Sequence, residues 1–232
     1  MYREGVNLME NVKIKNLYTL EETIAGDYLK KFEYPWEALK GISDLIKEIG
    51  PTLDSEKFEQ RGEDIWVAKS AKVAPTAALN GPLIIDEDAE IRHCAFVRGS
   101  AIVGKGSVVG NSTELKNVII FNSVQVPHYN YVGDSILGYK SHMGAGSITS
   151  NVKSDKTLVV VKDCYDTNEE IETGLKKFGA MLGDNVEVGC NSVLNPGTVV
   201  GRNSNIYPLS RVRGVIPANS IFKDKDNVVK KY

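Results

Sequence analysis

Several things are scarce in this chain of 232 residues, and each scarcity removes a class of protein. Only three cysteines occur, Cys94, Cys164 and Cys190, widely separated and never as C-x-x-C. That argues against a disulfide framework and against a thiolate zinc site, and for a reducing compartment. No stretch approaches the run of about 18 apolar residues that a membrane-crossing helix needs. The opening Met1-Tyr2-Arg3-Glu4 does not read as a signal peptide. Charge of one sign is also missing: 28 Lys and Arg face 30 Asp and Glu, a formal net charge of −2. Without a basic stripe there is no footprint for nucleic acid or an anionic membrane surface. From Lys223 to Lys231 lysine mixes with aspartate, which reads as a solvated tail. No G-x-S-x-G, Walker or Rossmann loop is present. The expectation is a cytoplasmic protein with neither nucleic acid nor membrane as partner.

What is there divides near residue 60. Before it the pattern is helical, and residues 1–60 read as a small α-helical cap. Thr19 and Glu22 suggest a capping box for a helix carrying Leu20, Ile24, Tyr28 and Phe32. Pro35 starts a second helix, with Trp36, Leu39, Ile42, Leu45, Ile46 and Ile49 on one stripe, until Gly50-Pro51 stops it. After residue 60 every sixth position from Val67 is large and apolar, through Val73, Leu79, Ile85, Ile91, Val97, Val103, Val109 and Leu115 to Phe121. Four residues after each, the side chain is often small, as at Ala71, Ala77, Ala89, Ala95 and Ala101. The series slips by one residue near 126–137, returns as Val126, Val132, Leu137 and Met143, and resumes from Leu182 to Val212. A period of six is the hexapeptide signature of a parallel β-helix, with about 18 residues to a coil of three short strands. The fold class is therefore mainly β, a parallel β-helix over 61–232. The period vanishes between Ser150 and Met181, so residues 151–181 read as a loop with a short hairpin protruding from the coil.

Some polar residues are not explained by the period. Arg98 and Lys116 follow Val97 and Leu115 and should occupy one corner of successive coils, about 4.8 Å apart. Two stacked cations either share an anion such as phosphate, or turn to solvent or to carboxylates such as Glu114. His128 lies where the repeat slips, in P-H-Y-N-Y-V-G-D, and is either a catalyst or a satisfied structural residue. His142 sits beside Gly144-Ala145-Gly146, small residues that leave room for an extended ligand or merely fill corners. His93, His128 and His142 raise the possibility of a three-histidine zinc site. Yet His93 is nearly two coils from His128, and no pair has the close spacing of co-facial ligands.

The strings G-N-S-T-E-L-K (110–116), H-Y-N-Y-V-G-D-S (128–135), G-A-G-S-I-T-S-N (144–151), K-K-F-G-A-M-L-G-D-N (176–185) and V-G-C-N-S-V-L (188–194) carry a resemblance. The segment Arg98 to Gly201 resembles the hexapeptide-repeat acyltransferase domain of the bifunctional glucosamine-1-phosphate acetyltransferase/N-acetylglucosamine-1-phosphate uridyltransferase family. It is similar also to the β-helical tails of sugar-1-phosphate nucleotidylyltransferases. The resemblance implies a left-handed coil, a homotrimer with sites between subunits, and acetyl-CoA as co-substrate with no metal required. It also implies His128 as general base, Arg98, Lys116 and Lys177 on the sugar phosphate, and Tyr131 on the sugar. Ala145 and Asn151 then contact acetyl-CoA. Two positions depart from the family: His142 replaces its sugar-binding asparagine, and Cys190 the serine lining its coenzyme channel.

The expected function is thus acyl-CoA-dependent N-acylation of an amino-sugar phosphate such as glucosamine-1-phosphate. A neutral imidazole, with an ordinary pKa of about 6.5, suits a base at working pH. Two other readings stand beside it. One is a non-catalytic sugar-nucleotide-binding or scaffold module, related to the nucleotidylyltransferases and paired with a separate one. The other is a zinc-dependent enzyme of the carbonic anhydrase kind.

Overall fold

The period of six is realised as three stacked faces. The computed structural model describes residues 9–165 and 167–231. Face A runs through Ile65–Ala68, Leu83–Ile85 and Ala101–Val103, the second halves of Glu114–Ile120 and Tyr131–Leu137, then Ala180–Leu182, Thr198–Val200 and Val215–Ile216. Face B contains Lys72–Val73, Glu90–Ile91, Val108–Asn111, Gln125–His128, His142–Met143, Glu187–Val188, Asn205–Ile206 and Ser220–Asp224. Face C begins at Ala78–Leu79 and Phe96–Val97 and passes through the first halves of Glu114–Ile120 and Tyr131–Leu137. It ends on Ile148–Thr149, Val193–Leu194 and Arg211–Val212. Neighbouring coils pair in parallel, so the chain is a β-solenoid. Val67, Ile85, Val103, Ile120, Leu137, Leu182, Val200 and Ile216 are registered one above another inside it.

The register relocates the slip. Ile120, not Phe121, pairs with Val103, while Phe121 is also fully buried and so mimics the repeat. The missing residue lies at the corner from face C to face A. Arg98, Gly99 and Ser100 separate Val97 from Ala101, but only Lys116 and Asn117 separate Leu115 from Val118. Gly133 and Asp134 repeat the short corner on the next coil.

Face A is apolar on both sides. Its outward row, Trp66, Ile84, Ile102, Ile119, Ile136, Met181, Val199 and Val215, is buried throughout. Short, nearly continuous apolar runs such as Leu83-Ile84-Ile85 are what strands covered on two faces require. The N-terminal segment supplies much of the cover. Ile42–Ile49 is an α-helix whose Ile42, Leu45 and Ile46 are buried, and Gly50 lets the chain press on Trp66, because a Cβ there would meet the indole at 2.4 Å. Pro35–Gly41 is 3-10 rather than α, and Glu37 accepts the N–H groups of Glu33 and Tyr34 at 3.0 and 2.8 Å.

The expected first helix breaks into Leu20–Glu22, a 3-10 turn, and Gly26–Leu29. The Thr19–Glu22 capping box does not form, because both side chains are used to dock the segment. Thr19 gives its N–H and hydroxyl to Asp184 Oδ2 at 2.8 and 2.7 Å, and Asn122 donates to the Glu22 carboxylate at 3.1 Å. Asp184, only 2% exposed, also accepts Tyr139 N–H and the Arg202 guanidinium.

Residues 151–181 do contain the expected hairpin, Val160–Lys162 paired with Glu170–Glu172, but it does not protrude. Val159, Val161, Leu175 and Phe178 are buried; Tyr165 donates to the Arg213 carbonyl, and Phe178 packs on Trp36. The C-terminal run is likewise no free tail. Asn227–Lys230 pairs antiparallel with Ser220–Asp224 and ends face B, as Phe58–Gly62 does at the start of face A. Among the described residues no helix is long and apolar enough to cross a membrane.

Two-sided burial gives a measurable contrast between faces. Ile102→Ala on face A should cost about 2–5 kcal/mol in urea unfolding, the range of a core cavity. Phe96→Ala, on the open face C and 38% exposed, should cost less than half as much. An equal loss at the two positions would contradict the assignment of faces.

Candidate active site

One ladder of backbone bonds runs up the corner from face B to face C. The carbonyls of His93, Asn111, His128, Ala145 and Cys190 accept the N–H groups of Ser112, Tyr129, Gly146, Asn191 and Leu209 in turn. His128, Ala145 and Cys190 therefore occupy equivalent positions on three successive coils. The residues after them turn the corner in the left-handed region, with φ of 53° at Tyr129, 72° at Gly146 and 53° at Asn191. Close stacking is obligatory here: a Cβ on Gly110 would lie 1.5 Å from the Pro127 carbonyl oxygen. The His128 side chain is exposed, and its backbone is held by its own N–H to Asn130 Oδ1 at 3.0 Å. Asn130 is buried and donates to the Gly144 and Ser147 carbonyls, tying the histidine corner to the glycine-rich coil above it.

At the opposite edge of face C the corners leading to face A gather a second group. Arg98 and Lys116 do stack, and each has a carboxylate: Arg98 Nη1 meets Glu114 Oε1 at 2.8 Å, and Lys116 Nζ meets Asp134 Oδ2 at 3.5 Å. Glu114 holds the Arg98 guanidinium more firmly in its charged form. The Asp134 carboxylate also accepts Asn117 Nδ2 at 2.9 Å and Asn151 Nδ2 at 2.5 Å. Asn151 lies 3.2 Å from the Tyr131 hydroxyl, whose pKa is pushed up, first by burial and then by the nearby Asp134. Tyr131 thus stays a neutral donor. Lys177 is exposed beside Phe178, whose N–H reaches the Asn151 carbonyl at 3.0 Å.

The expected site residues accordingly fall into two sets. His128, Ala145 and Cys190 share one corner; Arg98, Lys116, Asn151 and Lys177 surround the other; Tyr131 lies on the face between. Asn151, expected on the coenzyme, sits in the cluster with Lys116 and Tyr131. His142 stands apart on face B, its Nδ1 2.8 Å from Glu187 Oε2. With Cys190, Val188, Ile206 and Pro208 it lines a shallow groove of about 510 Å³. His93 shares the His128 corner two coils away, with Nδ1 2.6 Å from Thr76 Oγ1. Among the described residues no three His, Cys, Asp or Glu side chains are grouped to hold a metal ion. The sequence reading missed Asp134, Asn117 and Glu187. Asp134 lay within the motif quoted for His128, but only the register shows that the short corner aims it at Lys116.

The family model of the GMPPB C-terminal domain matches residues 79–177. The bifunctional protein GlmU of Methanococcus aeolicus is 30% identical over 213 residues, covering 84% of this chain and 47% of that protein. A bifunctional sugar-1-phosphate nucleotidylyltransferase/acetyltransferase of Sulfurisphaera tokodaii is 30% identical over 169 residues, covering 65% and 41%. The chain resembles the hexapeptide-repeat acyltransferases of the GlmU kind. It spans about half the length of these relatives. Among solved structures, the putative acetyltransferase product of the BC4754 gene of Bacillus cereus aligns at 16% identity with a TM-score of 0.45, covering 69% of this chain and 77% of that one.

The cysteine environments predict thiol reactivity. Cys94 and Cys190 are exposed, whereas burial pushes the Cys164 thiol up, against weaker opposing effects of Lys162 and Arg213. Cys164 is half-buried, so a chromogenic disulfide should modify two thiols promptly and the third more slowly, with all three equal after denaturation. Prompt modification of all three would contradict the packing of the 151–181 segment.

Proposed function

We propose that the chain is an acetyl-CoA-dependent N-acetyltransferase acting on an amino-sugar phosphate such as glucosamine-1-phosphate. The observation that supports this most is the pairing of two edges of one narrow face. One carries an exposed histidine stacked below Ala145 and Cys190. The other carries two stacked cations beside a tyrosine and an asparagine.

In this reading Arg98, Lys116 and Lys177 hold the phosphate. Arg98 engages Glu114 through Nη1, which leaves Nε and Nη2 as donors for an anion. Tyr131 and Asn151 orient the sugar. His128 takes the proton as the amine nitrogen attacks the thioester carbonyl, and the same imidazolium returns a proton to the departing coenzyme thiolate. The N–H groups of Gly144 and Gly146 are engaged by the Val188 and His128 carbonyls. The Ala145 N–H is the donor that remains in that stretch for the tetrahedral oxyanion. Acetyl-CoA would run along the groove that includes Cys190. His142 and Tyr131 project from different faces, so a sugar touching both is held between two chains, consistent with a homotrimer. No step requires a metal.

The test is thiol release from acetyl-CoA with glucosamine-1-phosphate and other amino-sugar phosphates. His128→Ala should lower kcat by about 10²–10⁴-fold. Arg98→Ala should chiefly raise the acceptor KM. Full activity in His128→Ala would sink the assigned base. The departures at His142 and Cys190 favour one alternative, a non-catalytic sugar-nucleotide-binding module. Calorimetry separates the two, since the module would bind sugar nucleotide and no acetyl-CoA.

A further inference from the structure

Asp134 joins residues from several coils at the cationic corner, and no role attaches to it so far. It is 4% exposed, and its carboxylate meets Lys116 from the coil below and Asn151 from the coil above. Asn117 donates to its second oxygen. Its backbone carbonyl accepts Gly179 N–H, two residues past Lys177, where the 151–181 segment rejoins the coil. The backbone at Asp134 is left-handed, with φ of 49°, a conformation costly for a residue with a Cβ. Turning the corner sets it: Asn117 on the coil below and Ser100, in a corner of full length, have φ of 54° and 51°.

We infer that Asp134 is the positioning residue of the acceptor site, fixing the Lys116 ammonium and the Asn151 amide as one rigid unit so that phosphate and sugar are recognised together. This rests on the acetyltransferase reading above. The physical basis is the geometry of donors. Lysine carries a point charge on a flexible stem, and a buried acceptor on one side leaves its remaining N–H groups aimed outward. Asn151 gives its amide N–H groups to Asp134 and towards Tyr131, so the tyrosine hydroxyl is set indirectly by the same carboxylate. Asn117 donates to the other oxygen, so that oxygen does not compete with an incoming phosphate for the remaining Lys116 N–H groups. Replacing Asp134 with asparagine keeps the size, but puts an NH2 against one of two amide donors and removes the charge facing Lys116.

Wild-type protein and Asp134→Asn are compared by thiol release, with separate KM values for glucosamine-1-phosphate and acetyl-CoA, and by thermal melting. The expected result is an acceptor KM raised about tenfold, with the coenzyme KM within about twofold. A parallel rise in both, or no change for the acceptor, overturns the role. Should Asp134→Asn fail to fold, Lys116→Ala and Asn151→Ala are combined instead. Both residues bond to Asp134 Oδ2, so their effects on acceptor kcat/KM should depart from simple multiplication by at least about threefold. Strictly multiplicative effects overturn the proposal. If the wild type binds glucosamine-1-phosphate calorimetrically but releases no thiol, the catalytic reading fails, and positioning is judged by tenfold weaker binding in the variant. Wild-type protein that does not bind the sugar phosphate overturns both.

Discussion

The registered parallel stack makes every other feature of this molecule possible. Each coil exposes its backbone N–H and C=O groups along the axis, and the coil above satisfies them at a spacing of about 4.8 Å. Residues a full coil apart in sequence become nearest neighbours, so a column of side chains is set by chain length per coil rather than by local motif. The His128–Ala145–Cys190 column and the Arg98–Lys116 column both follow from that. So does their separation by the width of one short face. Such a lattice tolerates no drift, and a residue lost from one corner is felt in the phase of everything beyond it.

A second constraint decides which surface is free. Face A carries apolar rows inside and outside, and burying a large aliphatic side chain is worth roughly 1.5–3 kcal/mol. The N-terminal segment supplies cover on that face, and the 159–178 stretch packs against that segment through Phe178 and against the corners at Gly197 and Gly214. The ties that hold the first are polar and specific: Asp184 bonded to Thr19, Tyr139 and Arg202, and Glu22 bonded to Asn122. Faces B and C keep mixed outward rows, such as Glu114 and Tyr131 beside Ile148 on face C. The residues proposed for the coenzyme lie at the corner between those two faces, away from the covered side, and those proposed for the phosphate lie at the edge where face C meets face A.

Much of this was legible from residue spacing. The inward row from Val67 to Leu115 followed directly from the period, because filling a prism demands a large apolar side chain at a fixed interval. The helical stretch from Pro35 to Gly50 was legible from its single stripe, though not that its first half is 3-10. Less visible was the outward row of Ile84, Ile102 and Ile119, masked because every sixth residue already accounted for the apolar content. Of the two short corners, Gly133-Asp134 lies within the expected 126–137, while the one at Lys116-Asn117 was hidden because Phe121 is as apolar as Ile120 and sits one step on. Thr19 and Glu22 carry the pattern of a cap, yet their side chains bond to distant coils, which no local pattern can announce. At the candidate site, the cations were found through their spacing; the carboxylate that holds one of them was not, since its place depends on where the chain is short.

The short corners at Lys116-Asn117 and Gly133-Asp134 have a consequence for how such a surface could arise. Exchanging one side chain for another changes what a fixed lattice position displays. Removing a residue instead shifts the frame for the rest of the stack, so that different side chains come into register at the corner. Two adjacent coils carry the same shortening, so their mutual register is preserved while both differ from the coil below. The chemistry gathered around Asp134 is in this sense the product of a length change in a repeat, a route to novelty open to modular chains and closed to folds whose elements are not interchangeable.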